Sequence, residues 1–375
     1  MQVLFVSNDP GLLNKDSAVF ARMVEYARAI GTLHIVTSSL LPHMLTADSL
    51  YVHGVPCARL TRVRELSRKA HALIIAENIQ VVSAQDPFEQ GLAALRAIRG
   101  TNAKLHIQIH TDFLSPWFVR GGNFRSPKVP VPILNRVRRK MADAVLPHAS
   151  GIRAVSSRIE ASLVKRYGSR IVKPAVLPIA VPTTVPEKVP LPHHDFTFAL
   201  LTVGRLEPEK RIEDSIAALA RVKDAYPAVG LIIVGEGSEK ARLEKLVHTL
   251  GLEGRVLFTD GWRTDAWGMM RSAQAYIQTS AYEGYGRTLI EAVLAEVPVI
   301  TTDVGIVGEV LRGYEDVLSA PVADPAALAV HIRALVEDVS LRTALTMHAK
   351  ASVEQHVRSV DTSAVGIAAN LAQLV

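Results

Sequence analysis

The sequence predicts an α/β protein made of two doubly wound domains, each a parallel β-sheet covered by helices. Two observations support this prediction. Short apolar runs alternate with longer segments of helical periodicity along both halves of the chain, as expected for parallel strands joined by crossover helices. A chain of 375 residues also exceeds what one hydrophobic core normally holds, so two domains are expected.

The predicted strands are short runs rich in apolar and β-branched residues. They span 3–7, 33–37, 81–84, 105–110, 152–155 and 175–177 in the first half, and 198–203, 231–234, 256–258, 275–278 and 299–302 in the second. A predicted helix over residues 17–30 has one continuous apolar face. In the second half, predicted helices begin near residues 211, 239, 266, 288 and 326.

A proline-rich stretch marks the join between the domains. Residues 178–194 contain Pro178, Pro182, Pro186, Pro190 and Pro192, a density that neither a helix nor a central strand tolerates. We predict a first domain over residues 1–180, a linker over 181–196, a second domain over 197–358 and a C-terminal helix over 359–375 that returns toward the first domain. A cleft between two such domains is the usual place for a ligand.

Composition excludes several classes of protein. No apolar run approaches the ~20 residues that a membrane-spanning helix needs. Residues 1–7 lack a basic lead, so they read as a first buried strand and not as a signal peptide. Cys57 is the single cysteine, which excludes an internal disulfide and a cysteine-rich zinc site. A reducing cytoplasm is the expected compartment.

The most informative run covers residues 281–302, where Glu283 and Glu291 lie eight positions apart. Glu283 falls in a loop with Gly284 and Gly286, whose tolerance of positive φ lets backbone N–H groups approach a ligand. Glu291 falls in the first turn of the next predicted helix, an end that attracts anions. Predicted strands flank the run, and ligands of parallel sheets bind beyond the carboxyl ends of strands. The alternative is an ordinary α/β unit with two surface acids.

A second run, residues 201–212, opens the second domain. A predicted strand ends at Gly204, a helix begins near Lys210, and Arg205 and Lys210 project from the connecting loop. Two cations at a helix start suit a diphosphate, whereas solvated loop charges are the alternative. Both runs belong to the same predicted sheet edge, which favours the ligand site.

Three motifs together resemble the donor half of family-4 retaining glycosyltransferases of the GT-B fold. They are Val203-Gly-Arg205-Leu with Lys210, then Ile232-Ile-Val-Gly235-Glu-Gly237, then Glu283-Gly-Tyr-Gly-Arg-Thr-Leu-Ile-Glu291-Ala. The first domain matches more loosely, through Ala154-Val-Ser-Ser, Leu177-Pro-Ile-Ala-Val-Pro and His110-Thr-Asp. The resemblance covers essentially the whole chain and implies two Rossmann-like domains facing across a cleft.

The resemblance also implies residue roles. Arg205 and Lys210 would hold the nucleotide diphosphate and neutralise the leaving group, Glu283 would hold the donor sugar, and Glu291 the ribose hydroxyls. His110, at the end of a first-domain strand, would hydrogen-bond the sugar near the reaction centre, unless it is only a satisfied polar residue at a strand end. The remaining implied donor-site residues are Gly204, Gly235, Gly237, Trp262 and Arg263 near the base, Gly284, Tyr285, Gly286, Arg287 and Thr288.

The reaction implied by the resemblance is a retaining transfer without metal or cofactor. The acceptor would attack on the face that the nucleotide leaves, and a donor phosphate oxygen would take the acceptor proton. Glu283 and Glu291 are therefore expected to bind hydroxyls and not to act as nucleophiles. Arg205 and Lys210 would do the neutralising, and scattered acids such as Asp112 form no evident metal-ligand cluster.

The loop after the first strand, residues 8–17, departs from the family pattern. Family members often carry paired glycines here, whereas this chain has Pro10 followed by Gly11. Gly11, Lys15 and Ser17 are candidates for an acceptor or phosphate loop, since a helix start near Ser17 would present free N–H groups.

Positive charge is concentrated in the first domain. Residues 101–173 hold 14 Lys and Arg against 3 Asp and Glu, while the whole chain has a net charge of +6. The charge is densest at Arg136, Arg138, Arg139 and Lys140, on a predicted helix with an apolar stripe. Such a helix can dock on anionic lipid and reach a lipid-linked acceptor; a solvated helix face is the alternative. A nucleic-acid partner is not expected, because no stacking platform accompanies the charge.

We therefore predict a hexosyltransferase that moves a sugar from a nucleotide-sugar donor to a glycan or lipid-linked acceptor, in cell-surface polysaccharide or glycolipid synthesis. It would be cytoplasmic, with possible peripheral contact to the inner face of the membrane. Two alternatives stay open. A GT-B sugar-nucleotide epimerase would convert the donor without acceptor, and a non-catalytic GT-B protein would bind a sugar nucleotide but release no nucleotide.

Overall fold

The computed structural model describes residues 1–120, 131–182, 184–259, 261, 263–358 and 363–375. Within these bounds the chain forms two compact units. The first comprises residues 1–114, 131–178 and 363–375, and the second comprises 115–120 and 179–358. Each unit is built on one β-sheet whose strands are mostly parallel, so the predicted fold class is confirmed.

The strands are β1 (Gln2–Ser7), β2 (Thr32–Ser39), β3 (His43–Ala47), β4 (Leu50–Pro56), β5 (Val81–Ala84), β6 (Lys104–Ile109), β7 (Gly151–Ala154), β8 (Ala175–Val176), β9 (Phe198–Val203), β10 (Val229–Val234), β11 (Val256–Phe258), β12 (Ala275–Gln278), β13 (Val299–Thr302) and β14 (Leu318–Ala320). The first sheet has the order β3-β4-β2-β1-β5-β6-β7-β8 and the second β11-β10-β9-β12-β13-β14.

The helices are α1 (Ala18–Ile30), α2 (Arg62–Ala76), α3 (Glu89–Ala97), α4 (Pro116–Arg120), α5 (Val131–Val145), α6 (Ser157–Tyr167), α7 (Ile212–Val222), α8 (Lys240–Thr249), α9 (Ala266–Met270), α10 (Arg287–Leu294), α11 (Pro325–Glu337), α12 (Val339–Arg358) and α13 (Ser363–Ala372). The five second-half helices predicted from periodicity all begin within one residue of the expected position. Among the residues that the structure describes, none of these helices has the length and hydropathy needed to cross a bilayer.

The hairpin of β3 and β4 was not predicted. β3 runs antiparallel to β4 at the edge of the first sheet, and Asp48 in its turn has a φ of 49°. Neither strand has the sequence pattern of a buried strand, because β3 is largely exposed and β4 contains Gly54 and ends at Pro56. Beyond β3 and β4, all neighbouring strands of this sheet are parallel, so their carboxyl ends share one edge.

The last helix, α13, is part of the core of the first unit. Ile367, Ala368 and Leu371 pack in the same buried cluster as Phe20 and Met23 of α1. A polar contact adds specificity, since Asn370 Oδ1 lies 3.0 Å from Nε2 of the buried His106. Helix α13 therefore contributes to the hydrophobic core of the first unit.

A short segment, residues 115–120, belongs to the second unit although it lies within the first-half sequence. The ring of Trp117 on α4 lies 5.5 Å from Cζ of Arg211, within the range of a cation–π contact. The ring of Phe118 meets that of Tyr282 edge-on at 5.5 Å. Aromatic contacts with residues far along the chain thus link this segment to the second unit. No local sequence pattern indicates these contacts.

Buried histidines make the first unit sensitive to acid. Burial lowers the pKa of His53 and of His106 to about 4, from an ordinary value of 6.5. The unfolded chain therefore takes up protons first as pH falls below 6.5, and stability is lost between pH 6.5 and about 4. We expect a loss of about 2 kcal/mol per histidine by pH 5.

Hydrogen exchange of amides in β1 and β5 measures this loss across the pH range. His106→Gln should flatten the profile, because it removes one of the titrating groups. His148→Gln serves as the matched control, since His148 is an exposed histidine of the same unit. A profile of the native chain that is flat from pH 7 to about 5 would contradict the expectation.

Candidate functional site

The loop between β9 and α7 places both predicted cations at the carboxyl edge of the second sheet. Gly204 and Arg205 follow β9, and a short 3-10 turn spans Pro208–Lys210 before α7 begins. Arg211, at the junction, has a φ of 46°, a left-handed conformation that costs a non-glycine residue about 1 kcal/mol or more. Its guanidinium donates to both carboxylate oxygens of Asp214, at 2.7 and 2.9 Å, which fixes the turn.

Arg211 and Asp214 shape the site although the sequence did not single them out. A base three positions before an acid at a helix start is a weak signal, because such pairs are common on helix surfaces. These two residues are only 8% and 3% exposed, and that burial distinguishes them from a solvated pair. They hold the backbone that carries Lys210.

Lys210 and Glu283, predicted from separate motifs, form one ion pair. Lys210 Nζ lies 2.5 Å from Glu283 Oε1, and Ser280 Oγ donates to the same oxygen at 2.7 Å. The two side chains are only 22% and 14% exposed, so solvent screens the pair weakly. Lys210 follows β9 and Glu283 follows β12, and these strands are adjacent in the sheet. Tertiary structure thus joins the two motifs at one strand edge.

Arg205 is placed differently from Lys210. Its side chain is 62% exposed and donates to Glu209 Oε1 at 2.7 Å. An exposed pair of this kind contributes about 0–1 kcal/mol, because water competes for both partners. An incoming phosphate can therefore take the guanidinium from Glu209 at low cost.

Glu291 lies on α10 and is held by Arg287. Arg287 Nε donates to Glu291 Oε1 at 2.7 Å, and the carboxylate side chain is 12% exposed. Burial raises the pKa of Glu291, and the neighbouring guanidinium offsets part of that rise. The indole of Trp267 donates to the backbone oxygen of Glu291 at 2.7 Å, which anchors α9 on α10. Arg287, expected at the donor, is thus engaged with Glu291.

The loop between β12 and α10 is held from two sides. Tyr285 is buried, and its hydroxyl is hydrogen-bonded to His356 Nε2 on α12 at 2.6 Å. Its carbonyl accepts the N–H of Ile306 at 3.0 Å. Gly305 has a φ of 59°, and a Cβ there would lie 2.5 Å from the Tyr285 carbonyl oxygen, so only glycine fits. Tyr285 therefore acts on the shape of the loop through its buried contacts.

Helix α10 begins where this loop ends. Gly286 has a φ of 89° and occupies the position before the first helical residue. Leu289 N donates to Gly286 O at 2.9 Å. The first two amides of α10 have no acceptor within the helix and so can serve as donors to a ligand. Gly284, also expected here, lies in the same loop.

A small recess of about 10 Å³ lies between β9 and β12 beside Lys210. It is lined by Thr202, Val203, Gly204, Lys210, Ile212, Gln278, Thr279 and Ser280. Gln278 Oε1 accepts a hydrogen bond from Thr288 Oγ1 at 2.7 Å. Gln278 Nε2 is buried and has no hydrogen-bond partner among the described residues. An unpaired buried amide donor costs about 1–3 kcal/mol, a penalty that a ligand oxygen would remove. The sequence does not distinguish Gln278 from an ordinary residue at the end of a strand.

Gly235 and Gly237 are required by a neighbouring loop. A Cβ at Gly235 would lie 1.9 Å from the backbone oxygen of Gly204, and a Cβ at Gly237 would lie 2.3 Å from that of Leu206. Gly204 N donates to Val234 O at 3.0 Å, which continues the pairing of β9 and β10 past the strand ends. The close approach that these glycines permit is between two loops, whereas their predicted approach to a nucleotide stays a prediction.

The predicted base-binding segment is only partly described. Trp262 lies outside the described residues. Arg263 donates to both carboxylate oxygens of Asp265, at 2.8 and 2.6 Å, just before α9. The side chains of Arg263 and Asp265 are 39% and 37% exposed, so the pair is accessible to a ligand.

His110 follows β6 at the carboxyl edge of the first sheet. Its Nε2 atom is buried without a hydrogen-bond partner among the residues that the structure describes. Burial, and then the nearby cations Arg153 and Arg22, lower the pKa of His110 to about 3. The imidazole is therefore neutral near pH 7, when it can donate or accept a hydrogen bond but carries no charge.

The candidate phosphate loop of the first unit is locally satisfied. Ser17 Oγ accepts the N–H of Phe20 at 3.0 Å, as the N-cap of α1, and donates to Gly11 O at 2.6 Å. Gly11 N donates to Asp9 Oδ1 at 2.9 Å. Lys15 is exposed. Gly11 and Ser17 thus have structural roles that suffice for their presence.

The basic cluster of α5 divides into two pairs. Arg138 Nε donates to Glu89 Oε1 at 3.2 Å, and Arg139 donates to the carbonyl of Phe113 at 2.9 Å. Arg136 and Lys140 are exposed. Of the four predicted membrane-contact residues, Arg138 and Arg139 therefore make internal hydrogen bonds, whereas Arg136 and Lys140 are exposed.

The second unit thus gathers cations and carboxylates at one sheet edge. The cations suit phosphate oxygens, and the carboxylates suit hydroxyl groups. Across the described ranges, no group of three or more His, Cys, Asp or Glu side chains is arranged to hold a metal ion.

Comparison with known families covers most of the chain. The model described as "Glycosyltransferase Family 4" matches residues 26–185, and the model "Glycosyl transferases group 1" matches residues 187–352. The two matches meet at the proline-rich stretch.

Each of two sequence relatives matches about two fifths of the chain. The glycogen synthase of Mycobacterium tuberculosis is 34% identical over 146 residues, which are 37% of this chain and 34% of the relative. The lipopolysaccharide core biosynthesis glycosyltransferase LpsD of Rhizobium meliloti is 33% identical over 149 residues, 40% of this chain and 42% of the relative. The chain spans about a third to two fifths of the length of these curated relatives.

Solved structures resemble the whole chain in fold. Sucrose-phosphate synthase from Thermosynechococcus elongatus has a TM-score of 0.81 at 20% identity, covering 100% of this chain and 99% of the other. HepE of Anabaena, in complex with UDP-glucose, has a TM-score of 0.75 at 21% identity, covering 99% of this chain and 100% of the other.

Proposed function

Because this chain belongs to glycosyltransferase family 4 and has the GT-B fold, we propose that it moves a sugar, with retention, from a nucleoside diphosphate to an acceptor hydroxyl. The acceptor is a glycan or a lipid-linked saccharide. One observation carries the proposal, the shielded ion pair of Lys210 and Glu283 at the carboxyl ends of β9 and β12. Arg205 precedes Lys210 in the loop after β9, and Glu291 lies on α10, the helix that follows the Glu283 loop.

The cations hold the diphosphate. Lys210 Nζ has three protons, and its bond to Glu283 uses one of them, so it retains donors for phosphate oxygens. Arg205 adds a planar pair of donors once it leaves Glu209. The unpaired Gln278 Nε2 supplies a neutral donor for one phosphate oxygen, since Gln278 and Lys210 line the same recess. These three groups together suit two adjacent phosphates.

The carboxylates hold hydroxyl groups. Both contacts to Glu283 fall on Oε1, and we assign Oε2 to a hydroxyl of the donor sugar. Glu291 is oriented by Arg287 and accepts the ribose hydroxyls. Its burial strengthens such hydrogen bonds, since little water competes there.

The proposed chemistry is a same-face exchange at the anomeric carbon. The bond from this carbon to the diphosphate oxygen breaks, and the bond to the acceptor oxygen forms on the face that the diphosphate leaves. The acceptor proton goes to an oxygen of the departing phosphate. Lys210 and Arg205 stabilise the growing negative charge of the leaving group, and the bound geometry supplies the alignment. Glu283 is engaged by Lys210 and Ser280, which suits a binding role better than nucleophilic attack.

We propose a uridine nucleotide as the donor, because HepE shares this fold and was solved with UDP-glucose. The likeness to LpsD supports an acceptor in cell-surface polysaccharide or lipopolysaccharide synthesis. The neutral, unpaired His110 Nε2 of the first unit is suited to a sugar hydroxyl.

Thermal unfolding with UDP tests the donor site. At a concentration of about 100 times Kd, UDP should stabilise the native chain by about 2.7 kcal/mol by mass action. Glu291→Ala should abolish most of the shift, whereas Lys245→Ala, an exposed lysine on α8, should leave it unchanged. A panel of UDP, GDP and ADP sugars then ranks the donors.

Product analysis separates the alternatives. UDP release that depends on a saccharide acceptor supports transfer, and conversion of the donor sugar without acceptor would indicate an epimerase. Binding without release under a broad acceptor screen would indicate a non-catalytic protein. If no nucleotide or nucleotide sugar shifts the unfolding temperature, the assignment of this sheet edge to a donor is wrong.

A further inference from the structure

Three leucines of the first unit are almost fully exposed on two loops. Leu40 and Leu41, in the turn between β2 and β3, are 96% and 75% exposed, and Leu60, in the turn between β4 and α2, is 98% exposed. Isolated apolar residues on a surface need no explanation, but several on neighbouring loops mark an interaction site. We call the two turns that carry these leucines, residues 40–42 and 57–61, the leucine loops.

The turn that carries Leu40 and Leu41 also contributes Pro42 to the lining of a groove. β2 and β4 pair in register as far as Ser39 and Pro56, so the two chains leave the sheet side by side. The groove between these loops and α2 has a volume of about 400 Å³. It is lined by Pro42, Gly54, Val55 and Pro56 on the strand side and by Glu65, Arg68, Lys69 and Ala72 on α2. An apolar wall thus faces a basic helix.

Positive charge surrounds the leucine loops. Residues 59–69 contain five Lys and Arg, at positions 59, 62, 64, 68 and 69, against the single acid Glu65. Arg64 and Arg68 lie 4.0 and 2.9 Å from Glu65, yet their side chains remain 83% and 79% exposed. Five cations against one carboxylate leave residues 59–69 with a net charge of +4. Arg68, Lys69 and Glu65, which line the groove, account for +1 of it.

We propose that the leucine loops and the start of α2 dock on a bilayer surface that carries anionic lipid. The leucines enter the boundary of the acyl chains, and Arg59, Arg64 and the groove cations meet the lipid phosphates. The exposed leucines match the acyl chains of such a surface, and the surrounding arginines match its phosphates. An acidic protein partner would match the cations but would leave leucines of this exposure without a hydrophobic environment.

The leucine loops fit a membrane better than α5 does. On α5 the exposed apolar residues are Ile133 and Val137, at 55% and 44%, and two of the four predicted cations are held by internal hydrogen bonds. The proposal goes beyond the transfer reaction, since docking requires no bound donor.

Vesicle sedimentation of the full chain tests the proposal. We expect binding to phosphatidylcholine vesicles in which about a third of the lipid is phosphatidylglycerol, and little binding to pure phosphatidylcholine. The triple variant Leu40→Ser, Leu41→Ser, Leu60→Ser should bind the anionic vesicles at least about tenfold more weakly. Arg59→Glu with Arg64→Glu should weaken binding by about fivefold or more per residue, and added salt should weaken the native chain.

Matched variants of the first unit serve as controls. Ile75→Ser removes an apolar residue, 67% exposed, from the last turns of α2. Arg96→Glu with Arg99→Glu reverses two exposed charges at the end of α3. Both controls should bind anionic vesicles like the native chain. The UDP-induced thermal shift should persist in the leucine variant, so a failure of docking is distinguishable from a failure of the proposed donor site.

Three results would overturn the proposal. The native chain fails to bind anionic vesicles, or it binds pure phosphatidylcholine equally well, or the leucine variant binds like the native chain. If Arg136→Glu with Lys140→Glu abolishes binding while the leucine variant retains it, the contact lies on α5 instead.

Discussion

Replacing Lys210 by alanine should lower kcat/KM for the nucleotide-sugar donor by about 10²–10³, the usual effect of removing one preorganised donor from a developing negative charge. Lys210 Nζ is fixed by Glu283 at 2.5 Å and is 22% exposed, so it acts in a site that solvent screens weakly. Steady-state kinetics with saturating acceptor measures the effect. Glu283→Gln should reduce turnover less, because an amide can still hydrogen-bond a hydroxyl.

Variants of both members of the ion pair separate an effect on catalysis from an effect on stability. Lys210→Ala leaves the Glu283 carboxylate without its cation, so an unfolding measurement is needed to separate the loss of stability from the loss of activity. The double variant Lys210→Met, Glu283→Gln removes both charges and should recover stability but not activity. Lys245→Ala is the control for a lysine on the same unit. Native turnover in Lys210→Ala would exclude the proposed role in neutralising the leaving group.

Replacing Gly235 by alanine should destabilise the second unit by about 3 kcal/mol or more. Gly235 has a φ of 147°, and an added Cβ would lie 1.9 Å from the backbone oxygen of Gly204. Neither backbone can yield without breaking the hydrogen bond from Gly204 N to Val234 O. Chemical unfolding followed by tryptophan fluorescence reports on this unit, since Trp117 and Trp267 both belong to it.

Gly204→Ala is the matched control, on the facing loop. A Cβ at Gly204 would meet no atom within 4 Å among the described residues, so stability should change by no more than about 1 kcal/mol. Equal stability of the Gly235 and Gly204 variants would show that the two loops are not packed against each other as the structure has them.

Local pattern reached much of the fold and failed where elements are exposed or short. The predicted strands of the second half, such as 198–203 and 299–302, agree with β9 and β13 because they are almost entirely buried and rich in apolar and β-branched residues. The hairpin of β3 and β4 escaped notice, since an edge strand with exposed residues lacks alternation. The turns on either side of that hairpin are the leucine loops.

Local pattern also found the charged residues of the site but not their partners. Lys210 and Glu283 were assigned to different parts of a donor, and the structure pairs them with each other. Arg287 was assigned to the donor and is bonded to Glu291. Arg211, Asp214 and Gln278 were missed, because burial and an unpaired amide can be recognised only once neighbouring strands are in place.

The sequence by itself determined the alternation of strands and helices, the family motifs and the residue types of the sheet edge, because each depends on residues close together in the chain. Only the tertiary structure decided which charges pair, why Gly235 must be glycine, and which leucines lie exposed beside a basic helix. These depend on contacts between segments far apart in sequence. Glu283 shows the difference, since the cation that engages it, Lys210, lies 73 residues away.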